Sequence, residues 1–287
     1  MKKLLLLLLL SPLVQLSLKS QVAVTSSTGT ATSASYGTLD SAITAINGGV
    51  KHTGTITVNV SAGHTETIAQ KIVLTATGTA ANPIVIKKNG SGTNPLITSY
   101  TGGSATTTDA NQDGIFALRG SDYVTIDGID LIENSSNSGN ALMEYGYGLF
   151  KMSDANGAQN NTIKNCVVTL STNNFASGTY PAGIGSTGIG IFASTDTTVT
   201  TILLGTAVAG GNSNNKIYSN TIKNCHQGIH VAGANEVSPY TYADVNNDVG
   251  GNSAATGNTV LNFGGGSGSN TLSCGIRSAY QYDFNVS

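Results

Sequence analysis

The chain has 287 residues and a formal net charge of −2, and only 10% of its residues are charged, against about 25% in ordinary globular domains. A chain without a cationic excess does not attract a phosphate backbone, so we do not expect nucleic acid as a partner. The 36 glycines, together with abundant Asn, Thr and Ser, predict many short strands separated by turns.

Residues 1–20 have the features of a signal peptide. Lys2-Lys3 precede the apolar run Leu4–Leu10, and small Ser20 precedes Gln21. This pattern predicts export with cleavage near Ser20. The alternative is an uncleaved membrane anchor, which needs about 20 apolar residues in a row. No later segment is apolar enough to span a membrane, so we expect a secreted or outer-surface protein with no span after cleavage.

The segment Tyr36–Asn47 carries the one good helical period of the chain. Thr38 suits the N-cap and Gly48 follows the end, and four apolar residues fall at i, i+3, i+4 and i+7 on one face: Leu39, Ala42, Ile43 and Ile46. A short helix before a run of strands predicts a cap that covers the first strands. The Ser/Thr-rich residues 21–35 before it show no pattern and are expected to be a flexible lead-in.

Short strand-like segments and then a repeat follow the helix. The strand-like segments are Thr55–Val60, Lys71–Ala76, Ile84–Lys87 and Leu96-Ile97. A phrase of Gly followed by an aliphatic residue then occurs five times, at Gly114, Gly148, Gly190, Gly228 and Gly275. Each of the first four Gly-aliphatic phrases is followed by a second group of aliphatic residues, and the spacing within this group is the same each time. The common spacing aligns four residues with one another: Ile126, Ile163, Ile217 and Val260. Repeats of this kind indicate a solenoid whose coils pair in parallel about 4.8 Å apart.

The predicted fold is all-β, a right-handed parallel β-helix with a short N-terminal capping helix. We expect four parts: a signal peptide at 1–20, the lead-in at 21–35, the cap and first coils at 36–110, and further coils at 111–287. The last coil ends at Ser287 where another phrase is due, so we expect the sequence to be the N-terminal part of a longer protein. The irregular spacings predict insertions, which often form the working face of a solenoid: Ile132–Gly146, Ser171–Thr187, Thr195–Ser213 and Ala232–Gly257.

The alignment also places polar residues at the bends. Asn161 and Asn215 are equivalent, which predicts a stacked Asn pair or ladder. Cys166 aligns with Asn220, and with Ile129 and Phe263, rather than with Cys225. Three cysteines are too few for a disulfide framework. Buried free thiols are therefore expected, and a Cys166–Cys225 bridge is the alternative.

Several phrases resemble one group of known proteins. They are YVTIDGIDLIENSS at 123–136, MEYGYGLFK at 143–151, QNNTIKNCVVTL at 159–170 and NNDVGGNSAATGNTVLNFGGG at 246–266. They are similar to large secreted right-handed β-helix proteins of Bacteroidetes with the pectate-lyase-like fold, which often end in a type IX secretion sorting domain. The resemblance implies the fold and export, and it implies no particular reaction.

A short acidic segment matches the opening of a calcium-binding loop. Asp109, Asn111 and Asp113 offer oxygen ligands at alternate positions before Gly114, as in the first half of an EF-hand loop. The closing acid is missing, because Gly120 stands at position twelve, although Asp122 is near. The alternative is a polar turn before a strand. No other cofactor is expected.

The sequence contains no complete set of catalytic residues that we recognise. Lyases of this fold need a basic residue beside acids that hold Ca²⁺, and Arg119, Lys151 and Arg277 are isolated candidates. Glycosidases need paired carboxylates. Asp127 and Asp130 are one such pair, and a solvated turn pair is the alternative. His64, His226 and His230 show no metal or triad spacing.

Three Tyr-x-Tyr pairs are candidate ligand-binding residues. Each pair places two rings on one side of an extended segment, and outward rings on stacked coils would form a sugar-stacking strip. The alternative is packing beneath the insertions. The pairs are Tyr145 and Tyr147, Tyr240 and Tyr242, and Tyr280 and Tyr282.

These observations favour a structural, adhesive or glycan-binding module whose partner is an extracellular polysaccharide or surface glycan. The competing hypotheses are a polysaccharide lyase or glycosidase, and a passive spacer that holds another domain away from the cell.

If the segment at Asp109 binds calcium, a chelator will lower the melting temperature, because an ion that binds only the folded chain stabilises it. Thermal melts in calcium and in excess chelator test this, and an unchanged melt would dispose of the calcium site.

Overall fold

The structure is a computed structural model, and it describes residues 21–103, 111–174, 180–181, 184–265 and 272–287. The predicted signal peptide at 1–20 lies outside the described residues, and so does Asp109. Strands account for most of the regular structure, and the one α-helix in the described part of the chain is α1, Leu39–Asn47. Two short 3₁₀ turns lie at Gly139–Ala141 and Val208–Gly210.

The strands are short and are numbered in chain order. The first twelve are β1 (Val22–Thr28), β2 (Ser33–Tyr36), β3 (Thr53–Ser61), β4 (Thr65–Thr67), β5 (Ile72–Leu74), β6 (Ile84–Asn89), β7 (Leu96–Thr98), β8 (Gly114–Arg119), β9 (Val124–Asp127), β10 (Asp130–Ile132), β11 (Tyr145–Phe150) and β12 (Thr162–Lys164). The others are β13 (Val167–Thr169), β14 (Thr187–Phe192), β15 (Lys216–Tyr218), β16 (Thr221–Cys225), β17 (Gln227–Ala232), β18 (Asp244–Val245), β19 (Asp248–Val249), β20 (Thr259–Phe263), β21 (Cys274–Ala279), β22 (Gln281–Tyr282) and β23 (Asn285–Val286).

From β3 to β17 successive strands join three sheets in strict rotation. Sheet A contains β3, β6, β9, β12, β15, β19 and β23, sheet B contains β4, β7, β10, β13, β16 and β20, and sheet C contains β5, β8, β11, β14, β17 and β21. All these neighbours pair in parallel. β18 and β22 form a separate parallel pair. The predicted all-β class is therefore confirmed.

The aliphatic register of sheets A and B is confirmed for the middle of the chain. Ile126, Ile163 and Ile217 are successive partners in sheet A, and the next partner is Val249. The alignment of Val260 with Ile217 is therefore wrong. Val260 pairs with Ile222 in sheet B instead, and Phe263 pairs with Cys225 rather than aligning with Asn220.

The Gly-aliphatic phrase is a less reliable marker of register. Gly148 pairs with Gly190 as predicted, but Gly190 pairs with His230, two residues beyond Gly228. Gly114 pairs with Tyr145 rather than with Gly148, so the predicted alignment of the Gly114 phrase with the Gly148 phrase is also wrong. The chain uses glycine at several outward positions of sheet C because aromatic rings lie across them: a Cβ on Gly190 would lie 2.1 Å from the ring of Phe192.

Residues 21–35 are not a patternless lead-in, and that prediction is wrong. β1 pairs antiparallel with β2 and with β3, and Val22 and Val24 are fully buried. The alternation of these two valines with small polar residues is the strand signal, and its shortness hides it in the Ser/Thr-rich sequence.

The capping helix is confirmed in place and in its buried face. Thr38 caps α1 through a bond from the Ser41 backbone N–H, and Leu39, Ala42, Ile43 and Ile46 are buried. Asn47 at its end binds the sheet C edge, because its Nδ2 donates to the Val73 carbonyl at 2.7 Å and its Oδ1 accepts from the Thr75 backbone N–H. The helix thus covers the first strand of sheet C.

Asparagine side chains connect successive bends before sheet A. Asn161, Asn215 and Asn247 immediately precede β12, β15 and β19 and are each 1% exposed. The Nδ2 of Asn161 donates to Oδ1 of Asn215 at 3.1 Å, and Asn215 donates in the same way to Asn247 at 3.2 Å. Each acceptor oxygen also takes the backbone N–H of the preceding Asn. The predicted ladder is confirmed and includes Asn247, which the alignment did not place.

A second, shorter ladder lies at the bend between sheets A and B. Asn220 Nδ2 donates to Asn258 Oδ1 at 3.1 Å, and the Cys166 backbone N–H donates to Asn220 Oδ1. Cys166 thus aligns with Asn220 as predicted. Cys166 and Cys225 are both buried and free, so the thiols form no bridge with each other.

Asn215→Ala will lower the free energy of unfolding by about 2–5 kcal/mol, because it leaves the buried Asn161 N–H and the Ala158 carbonyl without their partner. Urea unfolding measures the change. The matched control is Asn89→Ala at an exposed strand end, for which we expect a change within about 0.5 kcal/mol. Equal effects of the two substitutions would contradict the ladder's role.

Candidate functional site

The outer face of sheet C is covered by other parts of the chain over β11, β14 and β17. Every residue of β11, β14 and β17 is buried, because the segments that leave these strands fold back over them. A second apolar cluster, separate from the interior core, lies on this face and contains Tyr145, Phe150, Phe192, Ile184 and Val199. The rings of Phe150 and Phe192 are 5.3 Å apart.

The pair Tyr145 and Tyr147 does not form a surface strip, so this ligand-binding prediction is wrong. Both rings are 0% exposed. Tyr145 belongs to the outer cluster, whereas Tyr147 lies in the interior core and donates its hydroxyl to the Ile129 carbonyl at 2.7 Å. Residues two apart on a regular strand face the same side, so the placement of these two rings in different clusters means that β11 departs from regular alternation.

The outer cluster ends at a cavity of about 260 Å³. Its floor comes from β17 and β21, where His230 pairs with Arg277 and Ala232 pairs with Ala279. Its walls come from the segments that cross sheet C. The remaining lining residues are Tyr180, Pro181, Ile202, Leu204, Gly233, Asn235 and Tyr280.

His230 is the least solvated polar group of the cavity. It is 1% exposed, and neither ring nitrogen has a hydrogen-bond partner among the described residues. Burial, and next the positive charge of Arg277, lower the pKa of His230 to about 3, so the imidazole is neutral at physiological pH. A neutral imidazole offers one donor and one acceptor.

Arg277 lies beside His230 and is half-buried. Within the described ranges it forms no ion pair with Asp or Glu, whereas Arg119 and Lys71 both contact the buried carboxylate of Asp196. Of the described residues, no acidic side chain lines the cavity. The cavity therefore combines apolar walls with one unneutralised cation and one unsatisfied imidazole.

The other two tyrosine pairs are exposed or half-buried, and one of their residues, Tyr280, lines this cavity. Tyr240, Tyr242 and Tyr280 are 45%, 37% and 53% exposed. The rings of Tyr240 and Tyr282 are 4.9 Å apart with an interplanar angle of 32°, and Tyr280 also lines the cavity. These four residues, which we call the tyrosine strip, bring together two of the three predicted pairs.

The other basic candidates have structural roles. Lys151 is fully buried, and its Nζ donates to the Leu203 carbonyl at 2.9 Å. Burial lowers the pKa of this lysine. Arg119 donates to Asp196 through two nitrogens. Of the three candidate bases, Arg277 alone lines the cavity.

The predicted carboxylate pair is engaged in contacts between neighbouring strands. Asp127 accepts from Asn165 Nδ2 at 2.6 Å and lies 3.2 Å from Lys164 Nζ. Asp130 accepts from Asn94 and from the Val167 backbone N–H. His64 contacts Glu66 at 2.7 Å, and His226 is buried beside β17.

The calcium candidates are only partly placed. Asp109 lies outside the described residues, Asn111 is exposed, and Asp113 uses both carboxylate oxygens. They accept from the Tyr100 hydroxyl at 2.9 Å and the Gly103 N–H at 2.8 Å. No group of three or more His, Cys, Asp or Glu side chains suited to a metal ion occurs among the described residues. The calcium hypothesis stays a prediction.

The buried Glu144 beside Asp113 and the half-buried Glu133 were not found from the sequence. Glu144 accepts from the Asp113 N–H at 2.6 Å and from Asn174 Nδ2 at 3.0 Å, and Glu133 accepts from Ser99 and Asn137. Burial raises the pKa of Glu144 to about 8 and also raises the pKa of Glu133. They fasten the segment between β10 and β11 at its two ends.

No protein-family model matches the chain, and neither curated proteins nor solved structures give a match. In the part of the chain that the structure describes, no helix has the length and apolarity needed to cross a membrane.

The contribution of Glu144 to stability will depend on pH. Its pKa is higher in the folded chain than in the unfolded chain, so the contribution is fully present below about pH 4.5 and is lost as pH rises toward 8. Relative to Glu144→Gln, the wild type will lose on the order of 3 kcal/mol of unfolding free energy between pH 4 and 9. Denaturant unfolding across this range measures the loss.

The control for this measurement is Asp154→Asn, at an exposed carboxylate. Its unfolding curves should keep a nearly constant offset from the wild type. A constant offset for Glu144→Gln as well would contradict the assignment to Glu144.

Proposed function

We propose that the chain is a secreted or outer-surface right-handed parallel β-helix that binds extracellular glycans through the tyrosine strip. The rotation of strands among three parallel sheets supports the solenoid. The phrases that resemble secreted Bacteroidetes β-helix proteins, together with the leader-like residues 1–20, support export. The function rests chiefly on the contact between the exposed ring of Tyr240 and the half-buried ring of Tyr282, which are 4.9 Å apart and tilted by 32°.

Exposed aromatic rings suit carbohydrate because the C–H faces of a sugar pack on a ring while its hydroxyls stay in water. Tyr has an apolar body and a polar tip, so it tolerates this half-wet position. A low charge density also favours neutral or weakly charged polymers over steered ionic partners. Several rings in one strip would hold successive sugar units, which strengthens binding to a polymer over a monosaccharide.

A polysaccharide lyase or glycosidase is the second candidate. The observation in its favour is Arg277, which lines the cavity and forms no ion pair with an acidic side chain in the described part of the chain. Against it, Asp127 and Asp130 hold strands together rather than facing an open cleft. An enzyme would release unsaturated or reducing ends from polysaccharides, which a binding module does not do.

Replacing Tyr240 and Tyr282 together by Ala will weaken binding to a polysaccharide that the wild type retains on a glycan array by at least about tenfold, because each lost stacking contact is worth about 1 kcal/mol. Affinity electrophoresis measures the change. Tyr36→Ala serves as the matched control, since Tyr36 lies beside the N-terminal helix and contacts His52. Unaltered binding by the double variant would remove the strip from the proposal, and turnover would favour the enzyme.

A further inference from the structure

We propose that the cavity on the outer face of sheet C is a separate binding site for a small planar carboxylate with an apolar body, such as an aromatic acid. The proposal goes beyond glycan binding, because it concerns the floor and walls around His230, and of the tyrosine strip only Tyr280 also lines this cavity. Its volume of about 260 Å³ is several times the roughly 30 Å³ that one water takes in the liquid. The space therefore suits a molecule of moderate size.

The residues that line the walls of the cavity require the main part of the ligand to be apolar. Most lining groups are hydrocarbon or ring surfaces, from Tyr180, Pro181, Ile202, Leu204 and the two floor alanines. Tyr180 packs at 5.2 Å from Phe192, so the wall is fixed from behind. A sugar in this space would bury hydroxyls that lack partners, and each unpaired hydroxyl costs about 1–3 kcal/mol. A flat apolar ring carries no such cost.

The polar end of the ligand is determined by His230 and Arg277. They are register partners on adjacent strands, so their side chains emerge next to each other from one floor. A carboxylate has two oxygens and accepts a charge-assisted bond from the guanidinium together with a bond from the imidazole N–H. This pairing would satisfy the buried imidazole and neutralise the cation of the cavity.

Two aromatic rings fix the orientation of the His230 imidazole without bonding to its nitrogens. Phe192 lies 5.5 Å from the imidazole at 88°, and Tyr180 lies 5.9 Å from it at 85°. Both rings meet the imidazole edge to face and leave its nitrogens without a hydrogen-bond partner in the described part of the chain. An unsatisfied buried polar group of this kind calls for an explanation, and a bound acid provides one.

The test is isothermal titration calorimetry of the purified chain with three probes. Cinnamate combines the ring and the carboxylate, cinnamamide has the same shape without charge, and galacturonate has the charge with a hydroxyl-rich body. We expect cinnamate to bind at least about tenfold more tightly than either of the others. Cinnamate no tighter than cinnamamide, or galacturonate tighter than cinnamate, would overturn the proposal without affecting the tyrosine strip.

Variants locate the site. Arg277→Gln will weaken cinnamate binding by at least about tenfold, and Ala279→Leu will do the same by filling the cavity. Lys216→Gln, which removes one exposed charge from sheet A, will leave the affinity unchanged. Equal losses in the Lys216 and Arg277 variants, or undiminished binding in both cavity variants, would place the binding elsewhere. The comparison of cinnamate with cinnamamide needs no variant and stays decisive if a variant fails to fold.

Discussion

The structure depends on satisfying the backbone at the bends between its parallel sheets. Most strands have six residues or fewer and give little pairing each, and the chain must turn between them at bends from which water is excluded. Asn215 resolves this at one bend: its amide donates to the Ala158 carbonyl, and its oxygen accepts from the Asn161 backbone. A leucine there would leave both groups without partners, and an unpaired buried group costs more than an ordinary hydrogen bond contributes. The ladders therefore determine which residues can occupy the bends, and the aliphatic residues follow from that register.

The same constraint divides the molecule into a fixed interior and a variable outer layer. Interior positions of sheet A repeat Ile or Val because successive parallel strands place them in the same environment. The segments that leave sheet C have no such restriction, and they vary in length and composition. They fold over the sheet and bury aromatic residues such as Phe150 and Phe192 outside the core proper. The cavity has β17 and β21 as its floor, at the point where the fully buried strand β17 is followed by the half-buried or exposed residues of β21.

The parts of the fold and of the candidate site that could be predicted from the sequence are those where the surroundings allow few residue types. Asn161 and Asn215 were predictable because each stands two residues before an isoleucine that must face the core. Asn247 performs the same task, but it precedes Asp248-Val249 and breaks the phrase. The glycines of sheet C were a poor guide because β11 and β14 each carry two glycines two residues apart, whereas β17 carries one, so an alignment on glycine slips by two residues at Gly228. Tyr145 and Tyr147 were misplaced because alternation assumes a regular strand.

The cavity could not be predicted from the sequence, since His230 and Arg277 are 47 residues apart and meet only through the parallel register.

The parallel register is the central claim, and a pair of introduced cysteines tests it most directly. Thr162 and Lys216 are partners on adjacent strands of sheet A, at a separation that a disulfide spans. Oxidation of the T162C/K216C variant should give one intramolecular bridge between these positions, read by peptide mass mapping, while the pair T162C/K223C, across two sheets, should remain reduced. Efficient bridging of the second pair, or none in the first, would contradict the register on which the ladders, the core and the cavity all rest.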